Sequence, residues 1–111
     1  MSRPLLAAAV AAVAASTLLQ QAAAAADLAA GKQKAAMCRA CHGLNGLATA
    51  IDAPNIAGDS DIYLDRQLKL FRSGERRHEQ MSVIAGGLSD EDIADLAAWY
   101  SSIKVTARMP Q

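Results

Sequence analysis

The amino-acid sequence predicts an all-α domain built from three or four helices. Three segments combine helix-forming residues with helical spacing of apolar side chains, or with residues typical of helix ends. No segment shows the alternation of apolar and polar residues that a half-buried strand requires. The stretch over residues 43–58 contains Pro54 and several glycines, which indicates an irregular loop between the first two helices.

Residues 1–26 have the order of a secretory signal peptide. Arg3 precedes an apolar run over residues 5–19, and small residues precede Asp27. We expect cleavage close to Ala26, which leaves one domain over residues 27–111. An uncleaved membrane anchor is the alternative, although the strongly apolar run is shorter than the roughly 20 residues that a bilayer span needs.

The overall charge is balanced, with 11 Lys and Arg residues against 11 Asp and Glu residues. The composition gives no general attraction to nucleic acid or acidic lipid, so no nucleic-acid partner is expected. A domain of roughly 85 residues is close to the size at which a core alone is weakly stable and a disulfide or metal is usual. The chain has 2 cysteines, and their surroundings indicate which kind of cross-link to expect.

Residues 28–37 are rich in Ala and Lys and predict a first helix that leads into the cysteines. The sequence Cys38-Arg39-Ala40-Cys41-His42 is the C-x-x-C-H pattern for attachment of a c-type haem. One short turn places two thiols beneath the two vinyl groups of one haem and sets an imidazole under the iron. We therefore expect one haem c, bonded to Cys38 and Cys41 and ligated by His42.

Three other roles for the cysteines are weaker. A disulfide between Cys38 and Cys41 would close too small a loop to restrict the unfolded chain much. A thioredoxin-like pair would need a strand-helix-strand context. A zinc site would have to recruit His42 and His78, but the adjacent Cys41 and His42 are poorly placed to bind one tetrahedral ion.

A second axial ligand would come from a distant segment on the other haem face, and the candidates are Met37, His78, Met81 and Met109. Met37 is too near the cysteines to reach that face, and Met109 lies near the chain end, where fraying is common. Met81 is favoured because residues 74–87 resemble a loop that crosses a haem face. His78 is the rival ligand, and a solvated loop histidine is its more ordinary role.

Two further helices are predicted after the loop. The second begins after Ser60, a candidate N-cap, and ends at Gly74. The third begins after Ser89, which is followed by three acidic residues that suit the positive end of a helix dipole. We expect its apolar stripe to pack on the first helix. The stripe consists of Ile93, Leu96, Ala97, Tyr100 and Ile103.

The chain resembles the class I cytochromes c, and more narrowly the small bacterial single-haem type that matches one half of the two-haem periplasmic cytochromes. The resemblance covers residues 31 to about 102 and is more specific than the haem motif alone. The segments that carry it are Cys38-Arg39-Ala40-Cys41-His42-Gly43, Ala53-Pro54-Asn55-Ile56-Ala57-Gly58, Tyr63-Leu64, Gln67-Leu68, Phe71-Arg72-Ser73-Gly74, Met81 and Gly87-Leu88-Ser89-Asp90-Glu91-Asp92-Ile93-Ala94-Asp95-Leu96-Ala97.

The resemblance implies a cytochrome c-like fold, with three or four helices wrapped around one covalently bound haem. It also implies that His42 and Met81 are the axial ligands of the iron. The carbonyl of Pro54 would then accept a hydrogen bond from the second ring nitrogen of His42 and fix the orientation of the ring.

The resemblance further implies that Gly31 allows the first helix to cross the last one closely. Two positions depart from the pattern of the family. Ala35 stands where relatives usually have an aromatic residue, and Trp99 stands where they often have Tyr. We expect a thinner helix contact, refilled by Trp99.

With both axial positions filled, the iron would have no site for a small-molecule substrate. The expected function is therefore outer-sphere electron transfer in the periplasm, with redox proteins such as a flavoprotein or a terminal oxidase as partners. The alternative is the cytochrome subunit of a periplasmic flavin-containing oxidoreductase such as a sulfide dehydrogenase. A third interpretation is an open-site ligand sensor or peroxidase.

A local run of basic residues is a candidate docking surface. Its members are Arg66, Lys69, Arg72, Arg76 and Arg77. Such a run is usually a solvated face. The sharper hypothesis is a docking patch for an acidic partner, with association that slows as salt rises.

Overall fold

The computed structural model describes residues 25–111 together with Met1. The described part contains no strand, which confirms the all-α prediction. Its helices are α1 (Leu28–Lys34), a 3₁₀ helix (Ala35–Met37), α2 (Arg39–His42), α3 (Asp61–Ser73), α4 (Glu79–Gly86) and α5 (Asp90–Ser102). Most of the expected signal peptide lies outside the described residues. Among the described helices, none has the length and apolar character needed to cross a bilayer.

The first predicted helix forms as α1 followed by the 3₁₀ helix. Asp27 caps α1, because its carboxylate accepts the backbone N–H groups of Ala29 and Ala30. The 3₁₀ turn tightens the end of the helix just before Cys38, and α2 then carries the rest of the haem motif. The cysteine segment is thereby fixed at the end of a helix that packs on the core.

The bounds predicted for the second helix are confirmed by α3. The Ser60 hydroxyl accepts the N–H of Tyr63 at 3.0 Å. Gly74 ends the helix with φ 83°, a left-handed conformation that glycine adopts without steric cost. Leu64 and Phe71 are buried on its inner face.

The prediction of a loop over residues 74–87 is wrong in its second half, where α4 forms. His78 caps this helix, and its Nδ1 accepts the N–H groups of Gln80 and Met81, both at 3.3 Å. The helix was missed because histidine is not among the usual N-cap residues and because flanking glycines leave little periodic pattern in so short a segment. Met81 therefore projects from the first turn of a helix rather than from a loop.

The third predicted helix is confirmed by α5. Ser89 and Asp92 form a reciprocal capping box at its start. Its buried residues join the core with Ala35, Leu64 and Leu88. They are Ile93, Leu96, Ala97 and Tyr100.

The expectation that this stripe packs on the first helix is only partly right. Leu96, Ala97 and Tyr100 line a cavity, whereas α1 crosses α5 beside Asp95 and Trp99. A Cβ atom at Gly31 would overlap the carbonyl oxygen of Asp95 and lie 2.9 Å from Trp99 Cβ. Gly31 is therefore the position at which the two backbones approach.

Trp99 covers the edge of this crossing. Its indole Nε1 donates to the carbonyl of Leu44 at 3.0 Å. Lys32 Nζ lies 5.7 Å from the centroid of its ring, within cation–π range. Ala35, in the 3₁₀ helix that follows α1, is fully buried in the core. Ala35 therefore packs inside the core, and Trp99 covers the edge of the contact between α1 and α5.

Candidate haem site

The two cysteines lie on one helical turn. The N–H groups of Cys41 and His42 both donate to the carbonyl of Cys38, at 3.3 and 2.9 Å. This turn places both sulfur atoms and the imidazole of His42 on the wall of one cavity. Cys38 and Cys41 are partly buried free thiols rather than a disulfide.

The loop after α2 orients the imidazole of His42. His42 Nδ1 lies 2.9 Å from the carbonyl oxygen of Pro54, the hydrogen bond that the resemblance implied. Because a carbonyl can only accept, Nδ1 carries the hydrogen and the lone pair of Nε2 stays available to a metal. The loop is held in place by its own hydrogen bonds, since Thr49 N–H donates to Cys41 O at 2.9 Å and Ile56 N–H to Gly46 O at 2.8 Å.

The cavity has a volume of about 570 Å³ and lies between the haem motif, the loop, α3, α4 and α5. Its size falls in the range of about 300–1,000 Å³ typical of cofactor sites. The lining is mainly apolar, with sulfur and imidazole donors on it. Residues that line it include Cys38, Cys41, His42, Pro54, Leu64, Leu68, Phe71, Met81, Ile84, Leu96 and Tyr100.

The four candidates for a second ligand are distributed unevenly around this cavity. Met81 on α4 is partly buried and lines it. His78 and Met37 also line it but are exposed. Met109 is 81% exposed and is not among the lining residues.

Tyr100 is a site residue that the sequence reasoning treated only as part of an apolar stripe. Its hydroxyl donates to the carbonyl of Gly43 at 2.9 Å, next to the haem motif, and the side chain is 2% exposed. Burial raises the pKa of Tyr100 well above its ordinary value, with the neighbouring Cys38 adding to the effect. The signal available in the sequence was a tyrosine in an apolar stripe, because a buried Tyr hydroxyl usually has a partner.

The electrostatics of the cavity favour neutral groups. Burial raises the pKa of the Cys38 thiol. Within residues 25–111 no three His, Cys, Asp or Glu side chains converge as a metal cluster, so His78 does not complete a zinc site with the cysteines. The donor set fits a haem held by thioethers better than a metal ion held by charged ligands.

Much of the basic run is engaged within the chain. Arg72 pairs with Asp90 at 2.6 Å, and Lys69 pairs within its own helix. Arg76 donates to Gln67 at 2.6 Å on the rim of the cavity. These contacts favour a structural role for the run over a free docking patch.

Comparison with known proteins identifies the family. The family model for cytochrome c matches residues 28–104. Cytochrome c-554(548) of Halomonas halodenitrificans is 48% identical in an alignment of 79 residues that covers 68% of this chain and 95% of that protein. Cytochrome c4 of Pseudomonas aeruginosa is 42% identical over 83 residues, which are 75% of this chain but 41% of that protein.

The solved structures agree with the sequence matches. Reduced recombinant cytochrome c4 from Pseudomonas stutzeri superposes with a TM-score of 0.67 at 37% identity, over 72% of this chain and 47% of that one. The chain thus spans less than half the length of the cytochromes c4 that it matches. The expected resemblance to one half of a longer cytochrome is confirmed. With its C-x-x-C-H cysteines on the wall of a cofactor-sized cavity, this chain belongs to the cytochrome c family, as a c-type cytochrome that carries one covalently attached haem and transfers electrons.

Proposed function

We propose that the mature protein is a periplasmic carrier of single electrons whose haem iron is ligated by His42 and Met81. The observation that carries the proposal is the shared cavity, which has the two thiols and His42 on one wall and Met81 projecting from α4. When bound, the haem supplies an iron that alternates between Fe(III) and Fe(II).

The side chains of this chain hold and insulate that group. Cys38 and Cys41 anchor it through thioethers. The carbonyl of Pro54 keeps the Nδ1 hydrogen in place and Nε2 of His42 free for the iron. Apolar walls from α3 and α5 exclude water, which favours a stable low-polarity site over one that binds substrates.

The choice of Met81 over His78 follows from the hydrogen bonds at the start of α4. His78 Nδ1 accepts two backbone N–H groups, so its one lone pair is in use. A neutral imidazole with an accepting Nδ1 carries its hydrogen on Nε2 and has no lone pair left for iron. Ligation by His78 would therefore require the cap of α4 to break, whereas ligation by Met81 leaves it intact.

The test of ligation is the weak red-edge sulfur-to-iron absorption band of the oxidised protein. We expect Met81→Ala to abolish the band, because the thioether is removed. His78→Ala should keep it, and Met109→Ala is the matched methionine control on an exposed site. Retention of the band in Met81→Ala, or its absence from the oxidised wild-type protein, would refute the assignment.

A second candidate function is supported by two relatives, both thiosulfate dehydrogenase electron acceptors. The thiosulfate dehydrogenase electron acceptor of Thiomonas intermedia is 39% identical over 81 residues, which are 37% of that protein. The name of this relative indicates that a cytochrome of this family can accept electrons from one dedicated oxidoreductase. A cytochrome subunit bound to a flavoprotein would be another case of such a dedicated partner. Stable co-purification with a flavoprotein would favour the subunit, and a monomer that exchanges electrons with several partners would favour the free carrier.

An open-site sensor or peroxidase would bind carbon monoxide rapidly at the reduced iron, whereas the proposed carrier would not. If both axial positions are filled, the reduced protein binds carbon monoxide slowly or not at all. Flash photolysis or rapid mixing measures this directly. Rapid binding by the wild-type protein would exclude the proposed carrier.

A further inference from the structure

Asp27 joins the start of α1 to the buried side of α5. Its backbone N–H donates to Oδ1 of Asp95 at 2.8 Å, and its own carboxylate accepts the N–H groups of Ala29 and Ala30. Ala26, immediately before it, is exposed and lies outside any helix. In the part of the chain described from residue 25 onward, attachment to α5 therefore begins at Asp27.

The Asp95 carboxylate shares its cationic partner with a second carboxylate. It is 2% exposed, and a buried charge is costly unless it is paired. Lys34 Nζ lies 2.7 Å from Asp95 Oδ2 but is shared with Asp92 at 2.9 Å. Oδ1 of Asp95 meets the uncharged amide of Asp27.

The hydrogen bonds at Asp95 already favour its ionised form. The N–H of Asp27, and after it Lys34, hold the pKa of Asp95 below its ordinary value. The same contacts with Asp95 and Asp92 raise the pKa of Lys34. A cation at the Asp27 nitrogen would therefore meet a carboxylate that is already ionised and already within hydrogen-bond distance.

We propose that export proteolysis hydrolyses the Ala26–Asp27 peptide bond and that the α-ammonium group released there forms an ion pair with the buried Asp95 carboxylate. Water is the co-reactant: the C–N bond breaks, Ala26 retains a new carboxylate, and both hydrogens of the water end on the Asp27 nitrogen. In the sequence, Ala24 and Ala26 are the small residues that leader peptidases require before the cut.

Two effects oppose each other at the new amino group. A positive charge at the start of a helix is unfavourable, because the helix dipole is positive there. However, α1 has only 7 residues and its first turn is capped by the Asp27 carboxylate. The interaction with Asp95 is the larger effect, because charge-assisted hydrogen bonds are about twice as strong as neutral ones and screening is weak at a buried group.

The cleavage site is tested on holoprotein purified from the periplasm. Intact mass and N-terminal sequencing should show Asp27 as the first residue. A mature N-terminus at any other residue would overturn the proposal.

The ion pair is tested by adding one alanine before Asp27, with the extended N-terminus confirmed by mass. The extension restores a neutral amide at Asp27 and keeps every side chain, so the comparison isolates the charge. We expect the unfolding equilibrium constant of the extended holoprotein to be about tenfold larger near pH 6.5. The difference in unfolding constant between the two proteins should disappear as pH rises above about 8. An unpaired α-amino group loses its proton there, and pairing with Asp95 only shifts that loss to a higher pH.

Asp95→Asn is the matched background for the same comparison. There the extension should change the unfolding constant by less than about twofold, because the carboxylate is gone. An equal effect in both backgrounds would contradict the proposal. If Asp95→Asn does not fold, the comparison of wild-type and extended holoprotein across pH remains as the test. A difference in unfolding constant that stays the same from pH 6 to pH 10 would contradict the proposal.

Discussion

The approach of α1 to α5 depends on a single missing side chain. At Gly31 any Cβ atom would meet the backbone carbonyl of Asp95, and backbone cannot move aside as a flexible side chain can. The same crossing carries the ion pair of Lys34 with Asp95 and the packing of Trp99. A substitution here therefore acts on several contacts at once.

We expect Gly31→Ala to destabilise the protein by about 1–3 kcal/mol, the usual cost of overpacking. This exceeds the gain of up to about 1 kcal/mol that alanine gives in a helix interior. Denaturant unfolding followed by circular dichroism measures the change. Gly86→Ala is the matched control, because a Cβ there meets nothing within 4 Å, and it should be neutral or slightly stabilising. Equal stability of the two variants would contradict the close crossing.

At the scale of single elements, the ends of the helices are determined by local chemistry. Ser60 and Ser89 begin α3 and α5, and Gly74 ends α3. The exception is α4, whose start depends on a histidine that acts as an acceptor. That exception matters for the site, because α4 determines where Met81 projects.

The capping box of α5 gives the protein an acid-sensitive element. The backbone N–H of Ser89, and after it Lys34, lower the pKa of Asp92 to about 2. A carboxyl with a depressed pKa stabilises the fold above its ordinary value near 3.9, and this stabilisation is lost as pH falls towards 2.

We therefore expect Asp92→Asn to be less stable than wild type at pH 5–7, with the difference shrinking as pH falls from about 4 to 2. Thermal melts of the holoprotein across this range measure the effect. Glu91→Gln removes an exposed acid from the same turn and should leave the pH profile close to that of wild type. A difference between Asp92→Asn and wild type that persists unchanged at pH 2 would contradict the assignment.

At the scale of the whole molecule, the haem completes the core. The buried hydrophobic set is small for a domain of this length and surrounds a cavity of about 570 Å³. Much of the apolar surface that lines this cavity has no packing partner within the protein. A core in a domain this small supplies only a few kcal/mol, roughly 3–5 kcal/mol, so we expect the fold to depend on the cofactor.

We expect the Cys38→Ala/Cys41→Ala variant, which cannot form the thioethers, to lose most of its helical circular dichroism and its cooperative thermal transition. Arg39→Ala is the matched control, because it alters the exposed residue between the cysteines and keeps both thiols. A cysteine-free variant that melts cooperatively with native helix content, and without haem, would show that the protein core is sufficient alone.

The sequence by itself determined the elements that depend on neighbouring residues. The caps at Ser60 and Ser89, the stop at Gly74 and the haem motif all lie within a few positions of the structure they specify, so their chemistry is readable in order along the chain. The cofactor followed from the spacing of Cys38, Cys41 and the adjoining histidine.

Only the tertiary structure decided the contacts between distant segments. It showed that Tyr100 reaches the carbonyl of Gly43 and that the Asp27 nitrogen lies on the buried carboxylate of Asp95. The close crossing at Gly31 was implied by the family resemblance, and the structure added its contact point, the carbonyl of Asp95. These pairs are separated by more than 50 residues, and spacing along a chain carries no information about which buried polar groups satisfy each other after folding.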